Sequence, residues 1–360
     1  MESNESSPQP IVRENYPYVT RSLIRLFNEH RLSNVDLLLV EPEYGYLARI
    51  QYTDGSSRIT YGNDLGLNTG TSSELAKDKG HTKFVLNHLG VTVPEGEEFL
   101  MPWWEDVIRE NQKSKGHDIT NTADEAPSYI EQSIGYPVYV KPVAGSKGGD
   151  VYRVETANEL REIFQLYNEK KIRLAVVEKA VTMPDYRIVI LDGELISAYQ
   201  RIPLAVTGNG SDSIKTLVGD LQKSYEEQGR DTRLSIDDPR IQRYLGQKGL
   251  NMAFIPAVGE IQTLASISNL SAGGTSVDVT NSIAPKWVEL SKKIAAGMNL
   301  RLCGVDLACT DITDSDADYA VLEVNAAPGL DHYAMSGDAQ KQLVDDLYVR
   351  VLNVSVPHQQ

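Results

Sequence analysis

The chain has 360 residues and a formal net charge of -15, so it is long enough for two or three domains around a substantial core. The acidic balance argues against nucleic acid or an anionic membrane as the main partner, because both need basic patches. The polar start, residues 1–10, and the lack of a long apolar run predict a protein without a secretory signal or membrane span, hence a cytoplasmic one.

The first elements are a strand at residues 35–40 and a hairpin at 46–61 that turns at Asp54-Gly55. Ser72 and Ser73 open a predicted helix that runs to Leu89. The polar stretch 111–127 predicts a loop or an insert. Strands are then predicted at 138–140, 174–177, 187–191 and 194–202, and a helix begins at Pro285.

Residues 319–325 form a predicted strand that carries two oxygen ligands, Glu323 and Asn325, on one face because side chains alternate. The same alternation assigns Leu322 to the core. A second apolar strand supplies Asp306, and antiparallel pairing brings the three oxygen-bearing side chains together. They suit Mg²⁺, which is held by one or two carboxylates and by nucleotide phosphates. A surface hairpin with a solvated glutamate and a capping asparagine is the alternative.

The second strand also holds both cysteines, Cys303 and Cys309. Six residues of extended chain separate them by roughly 20 Å, which is too far for a disulfide. Their spacing matches no zinc motif either. We therefore expect both to be small core residues.

Three further segments suit a nucleotide or an activated acid. Lys141 ends an apolar strand and needs an anion there, and the glycine-rich loop 144–150 that follows suits phosphates unless it is an ordinary hairpin tip. That loop has neither the Walker A nor the dinucleotide-binding glycine pattern. The link 177–187 either presents backbone groups to an adenine or connects two domains. Residues 268–278 predict a backbone nest for a carboxylate or acyl phosphate, or a solvated turn.

Taken together and in this order, the motifs resemble those of ATP-grasp carboxylate-amine ligases. The similarity is greatest to the ATP-grasp module of bifunctional glutathione synthetases and to the ligase half of cyanophycin synthetase. It spans residues 72–337. The matching segments are Asp78-Lys-Gly-His-Thr-Lys83, Gly135-Tyr-Pro-Val-Tyr-Val-Lys-Pro142, Val177-Glu-Lys179 with Asp185-Tyr-Arg187, Arg201-Ile-Pro203 with Gly208-Asn-Gly210, Ser268-Asn-Leu-Ser-Ala-Gly-Gly274, Cys303-Gly-Val-Asp306 and Leu322-Glu-Val-Asn325.

The resemblance implies an α/β (α+β) protein with the ATP-grasp fold, in which two α+β subdomains grip ATP behind a short N-terminal domain. It divides the chain into an N-terminal segment (1–75), linking helices with an insert (76–130), a small ATP-grasp subdomain (131–205) and a large subdomain with the metal site (206–360). These boundaries are expectations from the order of the motifs.

The resemblance also implies a role for each matching residue. The ATP-binding set is Lys79, Lys141, Ser146, Gly148, Gly149, Glu178, Lys179, Val181 and Asp185, with the lysines and the glycine loop at the phosphates, residues 178–181 at the adenine and Asp185 at the ribose. The catalytic set at the γ-phosphate and the activated carboxylate is Arg187, Arg201, Asn269, Ser271, Gly273 and Gly274. The metal set is Asp306, Glu323 and Asn325.

The implied cofactors are ATP and two Mg²⁺ ions, for which Mn²⁺ substitutes. The implied partners are a small-molecule carboxylate and an amine, which are joined through an acyl phosphate with release of ADP and phosphate. Amino-acid-like substrates from peptide or specialised-metabolite biosynthesis fit this role, and a homodimer is an open assembly state. The alternatives are a phosphotransferase acting on a small-molecule hydroxyl and a nucleotide-binding module without turnover.

One position departs from the family pattern. Where the family commonly has an arginine before the Asn-Leu-Ser motif, this chain has Ala265. A guanidinium that pairs with a substrate carboxylate or a forming oxyanion is therefore missing. Either Arg187 or Arg201 is expected to replace it, or the substrate lacks the group that it contacts.

Overall fold

A computed structural model describes residues 10–112, 119–145, 150–227, 230 and 232–354. Every pair of named strands within these residues is antiparallel. In chain order the strands are β1 (Val35–Val40), β2 (Leu47–Tyr52), β3 (Ser57–Tyr61), β4 (Gly96–Leu100), β5 (Val138–Pro142), β6 (Tyr152–Val154), β7 (Leu174–Lys179), β8 (Asp185–Leu191), β9 (Glu194–Ile202), β10 (Ala205–Thr207), β11 (Ile261–Thr263), β12 (Thr275–Asp278), β13 (Leu302–Cys309) and β14 (Tyr319–Asn325).

Helices connect and cover these strands. A π-helical turn at Ile130–Ile134 and a 3₁₀ turn at Leu270–Ala272 accompany them. The α-helices are α1 (Tyr18–Asn28), α2 (Gly70–Lys77), α3 (Lys79–His88), α4 (Pro102–Gln112), α5 (Ala126–Tyr129), α6 (Ala157–Glu169), α7 (Ile214–Glu227), α8 (Pro239–Gln247), α9 (Pro285–Gly297), α10 (Asp331–Ala334) and α11 (Asp338–Leu352).

The strand at 35–40, the hairpin at 46–61, the strands around 138–140, 174–177, 187–191 and 194–202, and the helix from Pro285 are all confirmed. The single helix from Ser72 to Leu89 is wrong, because Asp78 interrupts it with an extended backbone. The Asp78 carboxylate accepts a hydrogen bond from the His81 amide at 2.9 Å and so caps a new helix, α3. Lys79 is thereby placed at the first turn of α3.

The first sheet has the order β1-β2-β3. One of its faces packs against α1 and against the C-terminal helix α11, with Leu23, Leu38, Ile50 and Tyr348 in a shared buried cluster. The N-terminal part of the chain is therefore held by its C-terminal part.

A four-stranded sheet, in the order β4-β7-β5-β6, forms the second unit. Helix α6 buries Leu160, Ile163 and Tyr167 against Val138 and Val177 on one face of this sheet. The alternate residues of β5 and β7, among them Lys141 and Glu178, face the other way. That second face forms one wall of a cleft.

The third unit is a five-stranded sheet in the order β12-β9-β8-β13-β14. One face carries Ile188, Val305 and Leu307 and packs on α9 through Trp287 and Ile294. The opposite face is divided along the strands. Its apolar part, which includes Val189, Leu302 and Tyr199, packs on α10 and α11, and its polar part forms the site described below.

Between β9 and β12 the chain forms a smaller unit of β10, β11, α7 and α8 around a core that includes Leu204, Ile214 and Leu245. Gln247 of α8 donates a hydrogen bond to the carbonyl of Arg153, and Arg243 lies 3.5 Å from the Glu159 carboxylate. These contacts join the unit to the four-stranded sheet.

The pairing of strands in the sheets crosses one of the predicted domain boundaries. Strands β8 and β9 lie in the predicted small subdomain, yet they pair with β13 and β12 of the predicted large one. The division at 1–75, 76–130, 131–205 and 206–360 stays a prediction. Both cysteines are buried and free, as expected. Within the described residues, no helix combines the length and apolar composition that crossing a lipid bilayer requires.

Candidate functional site

The polar part of the five-stranded sheet centres on a buried ion-pair network. Asp306 on β13 lies opposite Arg187 on β8, and its two oxygens accept hydrogen bonds from Arg187 Nε at 2.7 Å and Nη2 at 2.8 Å. Arg201 on β9 bridges Asp306 Oδ2, at 2.9 Å, and Asp185, at 2.8 Å. The register of three adjacent strands therefore places two guanidinium groups around one carboxylate.

This network sets the charge of both aspartates. Burial opposes ionisation of Asp306, but Arg187 and Arg201 outweigh it and hold the pKa of Asp306 below its ordinary value. Burial raises the pKa of Asp185 to about 6 in spite of Arg201, and the negative charge of Asp306 adds to the rise. Of the two aspartates, Asp306 is thus the one whose ionised form the network favours.

The other predicted metal ligands lie on the neighbouring strand. Glu323 is directly opposite Asp306, and Asn325 donates a hydrogen bond to Asp306 Oδ2 at 3.3 Å. A β-bulge at Leu322 shifts the alternation, so that Val321 is buried in the core and Leu322 is only half-buried. The prediction that Leu322 is a core residue is wrong for this reason.

Two lysines face these groups across the cleft. Lys79, at the start of α3, has its Nζ 3.8 Å from Glu323 Oε1 and donates to the carbonyl of Gly145. Lys141 on β5 forms a 2.6 Å ion pair with Glu178 on β7. Burial lowers the pKa of Lys79, and the charge of Glu323 opposes that change. An anion entering the cleft is attracted to both ammonium groups.

A narrow pocket of about 10 Å³, roughly the room that one water molecule needs, opens between α3, β7 and β14. Lys83 lies in it, donates a hydrogen bond to the Gly96 carbonyl at 2.8 Å and is 3.8 Å from Glu178. Apolar side chains form most of the wall, and the lining residues are Ala76, Lys79, Thr82, Lys83, Leu86, Val93, Pro94, Glu178, Val321, Leu322 and Glu323.

Sequence reasoning missed Lys83 and Leu322 as site residues. Lys83 entered the sequence analysis only as the last residue of the matching segment that begins at Asp78, and its position one turn after Lys79 was the available signal. Leu322 faces the cavity because of the bulge. The sequence of this strand alternates regularly between apolar and polar residues, so nothing in it indicates a bulge. Lys179 is exposed and Val181 half-buried, and neither lines the cavity.

The loop at residues 268–274 has its own hydrogen bonds. The amides of Gly273 and Gly274 donate to the carbonyls of Leu270 and Asn269, at 3.1 Å each, and the Ser271 amide donates to Asn269 Oδ1. These three amides are therefore engaged inside the loop, and the backbone nest predicted for residues 268–278 stays a prediction. The side chains of Asn269 and Ser271 are bonded to each other as well, because the Ser271 hydroxyl donates to Asn269 Oδ1 at 2.9 Å.

Two residues outside this loop donate hydrogen bonds to its carbonyl groups. The Tyr225 hydroxyl donates to the Gly273 carbonyl at 2.7 Å, and Arg230 donates to the carbonyls of Leu270 and Gly274 at 3.2 and 3.0 Å. The Arg230 guanidinium lies 3.9 Å from the centre of the Tyr225 ring. A Cβ at Gly273, whose φ is +100°, would lie 2.6 Å from Leu234, so the loop tolerates only glycine there.

The remaining predicted residues of the phosphate loop, Ser146, Gly148 and Gly149, lie outside the described residues.

Ala265, at the position of the family arginine, is half-buried in the core of the unit formed by α7 and α8. Arg187 and Arg201 are both committed to carboxylates of the protein. Neither therefore presents an unpaired guanidinium as a replacement.

The donor set fits Mg²⁺ bound together with a nucleotide. Among the described residues, no three His, Cys, Asp or Glu side chains converge on a closed metal site. The polar face instead offers two carboxylates and one amide, and Glu323 is a third exposed, at 34%. Mg²⁺ sites on phosphate substrates commonly use one or two carboxylates and take further ligands from phosphates and water.

A comparison with protein families identifies the family of the chain. The model of the RimK-like ATP-grasp domain matches residues 107–209 and 257–347, more than half of the chain. The chain belongs to the RimK-like ATP-grasp family. This confirms the predicted fold class and the resemblance on which it was based. ATP-grasp ligases use ATP and Mg²⁺, in agreement with the predicted cofactors.

Two of the similar proteins have much longer chains. Cyanophycin synthetase of Geminocystis herdmanii (strain PCC 6308) is 31% identical over 293 residues, which cover 79% of this chain and 31% of that protein. The glutathione biosynthesis bifunctional protein GshAB of Clostridium perfringens (strain 13 / Type A) is 26% identical over 62% of this chain and 30% of its own length. The chain thus spans about a third of these relatives.

The fold agrees with a solved structure. The crystal structure of a bifunctional glutathione synthetase from Pasteurella multocida superposes with a TM-score of 0.57 and 19% identity. The match covers 94% of this chain and 44% of that one. The similarity includes the N-terminal sheet as well as the ATP-grasp region.

Proposed function

We propose that the chain is an ATP-dependent carboxylate-amine ligase that forms an amide or peptide bond through an acyl phosphate. The observation that carries the proposal is the cleft in which Lys79 and Lys141 face Asp306, Glu323 and Asn325 beside a small cavity. Cations on one wall and oxygen ligands on the other match the charge pattern of a nucleoside triphosphate bound with divalent cations.

The position of each residue in the cleft determines which part of the nucleotide it contacts. We assign the adenine to the apolar walls of the pocket beside Leu322, which must move apart to admit a purine ring, and Glu178 offers a carboxylate oxygen at its edge. Lys79 and Lys141 then hold the phosphates, which replace the protein carboxylates that pair with them here. Phosphoryl transfer needs little covalent chemistry from a protein, so positioning and charge neutralisation supply most of the rate.

Bound Mg²⁺ would neutralise charge on the phosphates and keep the reacting groups in line. Glu323 and Asn325, together with Asp306, are the residues that would hold it. Arg187 and Arg201 favour the ionised form of the Asp306 carboxylate and fix its rotamer, because they bond to both of its oxygens, so a metal ion would share those oxygens with the two guanidinium groups. We therefore assign these arginines to the support of Asp306, where the sequence had suggested contact with the substrate.

The acid substrate binds at the end of the cleft formed by residues 268–276. Ser276 on β12 lies opposite Arg201, so the loop that precedes β12 ends beside the ion-pair network. The carboxylate attacks the γ-phosphorus, ADP leaves, and the amine then displaces phosphate from the acyl phosphate. Amino-acid-like substrates are proposed because the two similar proteins are a cyanophycin synthetase and a glutathione biosynthesis protein.

The reaction is tested by a screen of amino-acid pairs for release of ADP, followed by replacement of the amine with hydroxylamine. We expect ADP and a hydroxamate of the acid, because hydroxylamine intercepts an acyl phosphate. An AMP product would overturn the mechanism, since adenylation attacks the α-phosphate. ADP with a phosphorylated hydroxyl compound and no hydroxamate would favour a phosphotransferase, and nucleotide binding without turnover of any pair would favour a binding module.

The two residues behind the 268–274 loop give a separate prediction. Arg230→Lys keeps the charge but loses the paired hydrogen bonds to two carbonyls, so the loop is held less firmly and turnover should fall roughly tenfold. The Michaelis constant for ATP should stay within about twofold, because the lysines and the adenine cavity are distant in sequence and on other elements. Steady-state kinetics with both substrates separates the two effects.

The matched control is Arg240→Lys, since Arg240 forms a similar forked pair with Asp238 in the same unit. It should leave both constants unchanged. Equal losses in the two variants, or a rise in the ATP constant alone, would contradict a role for Arg230 in holding the loop.

A further inference from the structure

Strand β3, at the edge of the first sheet, has an inverted pattern of burial. In β3, Arg58 and Thr60 point into the protein and are buried, whereas Ile59 and Tyr61 point to solvent. A sheet with one solvated face normally shows the opposite alternation, with polar residues outside. Apolar residues on both faces are typical of a sheet that is covered on both sides.

These outward residues form one continuous surface, which we call the outer patch: Leu39, Tyr46, Leu47, Ile59 and Tyr61, each 41–65% exposed. Leu47 on β2 lies opposite Tyr61 on β3. Two residues further along β2, Arg49 lies opposite Leu39 on β1 and Ile59 on β3. The rings of Tyr46 and Tyr61 are 6.2 Å apart. The patch therefore spans all three strands and encloses a single charge.

The size of the outer patch matches half of a protein interface. Its five apolar side chains expose about 500 Å² together, which is at the upper end of what a monomer leaves in one apolar patch. Two such patches brought together would bury about 1,000 Å², the lower bound for a specific interface, before any contribution from the rim.

We propose that the outer patch is the interface of a homodimer, in which two copies pack these sheets face to face. A twofold axis through the patch repeats one surface on both sides, so a largely apolar surface meets a largely apolar surface. The chain has 50 acidic residues and a net charge of -15, but none of the patch residues is acidic. The contact therefore brings no carboxylates of the patch together. Arg49 has tyrosine rings available to it on the other copy, and a guanidinium over a tyrosine ring is a favourable cation-π arrangement.

The first test is the mass of the wild-type chain in solution, measured by sedimentation over a range from about 0.1 to 100 μM. We expect twice the chain mass at the upper end. A monomer over the whole range would overturn the proposal and leave the patch for a different protein. Amide exchange in β3 should slow as the concentration rises, and unchanged exchange in a dimer would place the interface elsewhere.

The second test is a charge on the patch. Ile59→Glu should raise the dimer dissociation constant at least tenfold, because it buries a carboxylate without a partner. Tyr61→Ser, a milder change at the same edge, should weaken the dimer in the same direction and serves if the first variant does not fold. The matched control is Ile261→Glu on β11, where the isoleucine is 72% exposed and far from the patch. Equal dissociation constants for the two glutamate variants would contradict the assignment.

Discussion

Replacement of Glu323 by glutamine is expected to lower turnover by roughly 100-fold or more, because the charged oxygen ligand of the metal site becomes neutral while its shape is kept. The concentration of Mg²⁺ that gives half-maximal activity should rise about 10–100-fold. Glu323 is partly exposed, and its ion pair with Lys79 is 3.8 Å long. The free energy of unfolding should therefore change by less than about 1 kcal/mol.

The measurement is a titration of activity with MgCl₂ for wild type, Glu323→Gln and Glu194→Gln. Glu194 is an exposed glutamate on β9 that pairs with Arg350, so its replacement controls for the loss of one carboxylate in the same sheet. Glu194→Gln should behave as wild type. Near-normal turnover of Glu323→Gln at saturating Mg²⁺ would show that Glu323 is not a metal ligand.

Local patterns predicted most of the fold. The hairpin at 46–61 followed from one turn dipeptide, and the antiparallel pairing that brings Asp306 opposite Glu323 followed from two apolar strands joined by a polar loop. These features depend on residues near one another in sequence. The break at Asp78 was missed because the residues on both sides of it keep a helical pattern, and only the capping geometry separates α2 from α3.

The site was less predictable because its groups meet through tertiary pairing. No local signal states that Arg187 and Arg201 both bond to Asp306, since these residues lie on three strands and are up to 119 positions apart. The bulge at Leu322 depends on the register with β13 and reverses a prediction that assumed regular alternation. The clamp of Tyr225 and Arg230 on the glycine loop joins segments more than 40 residues apart.

The buried network predicts a large loss of stability for Asp306→Asn. The amide of the new asparagine would direct a donor toward guanidinium groups that also donate, and two buried cations would be left with the single carboxylate of Asp185. Removal of one member of a buried ion pair typically costs about 3–5 kcal/mol. We expect a loss of that size in urea unfolding, together with the loss of activity.

A surface pair with nearly the same geometry provides the control. Arg301 holds Asp192 through Nε at 2.8 Å and Nη2 at 3.1 Å, but both side chains are exposed to solvent. Asp192→Asn should cost no more than about 1 kcal/mol, since water and salt screen such a pair. The same substitution in the same forked geometry thus isolates the effect of burial.

The double variant Asp306→Asn with Arg187→Gln tests the cause of the loss. It removes one cation as well as the carboxylate, and Arg201 keeps its pair with Asp185. The double variant should therefore be more stable than the sum of the two single losses predicts, by about 1–3 kcal/mol. Additive losses would mean that Arg187 and Asp306 contribute independently, and that the network does not hold Asp306 in the ionised state that the proposed metal site requires.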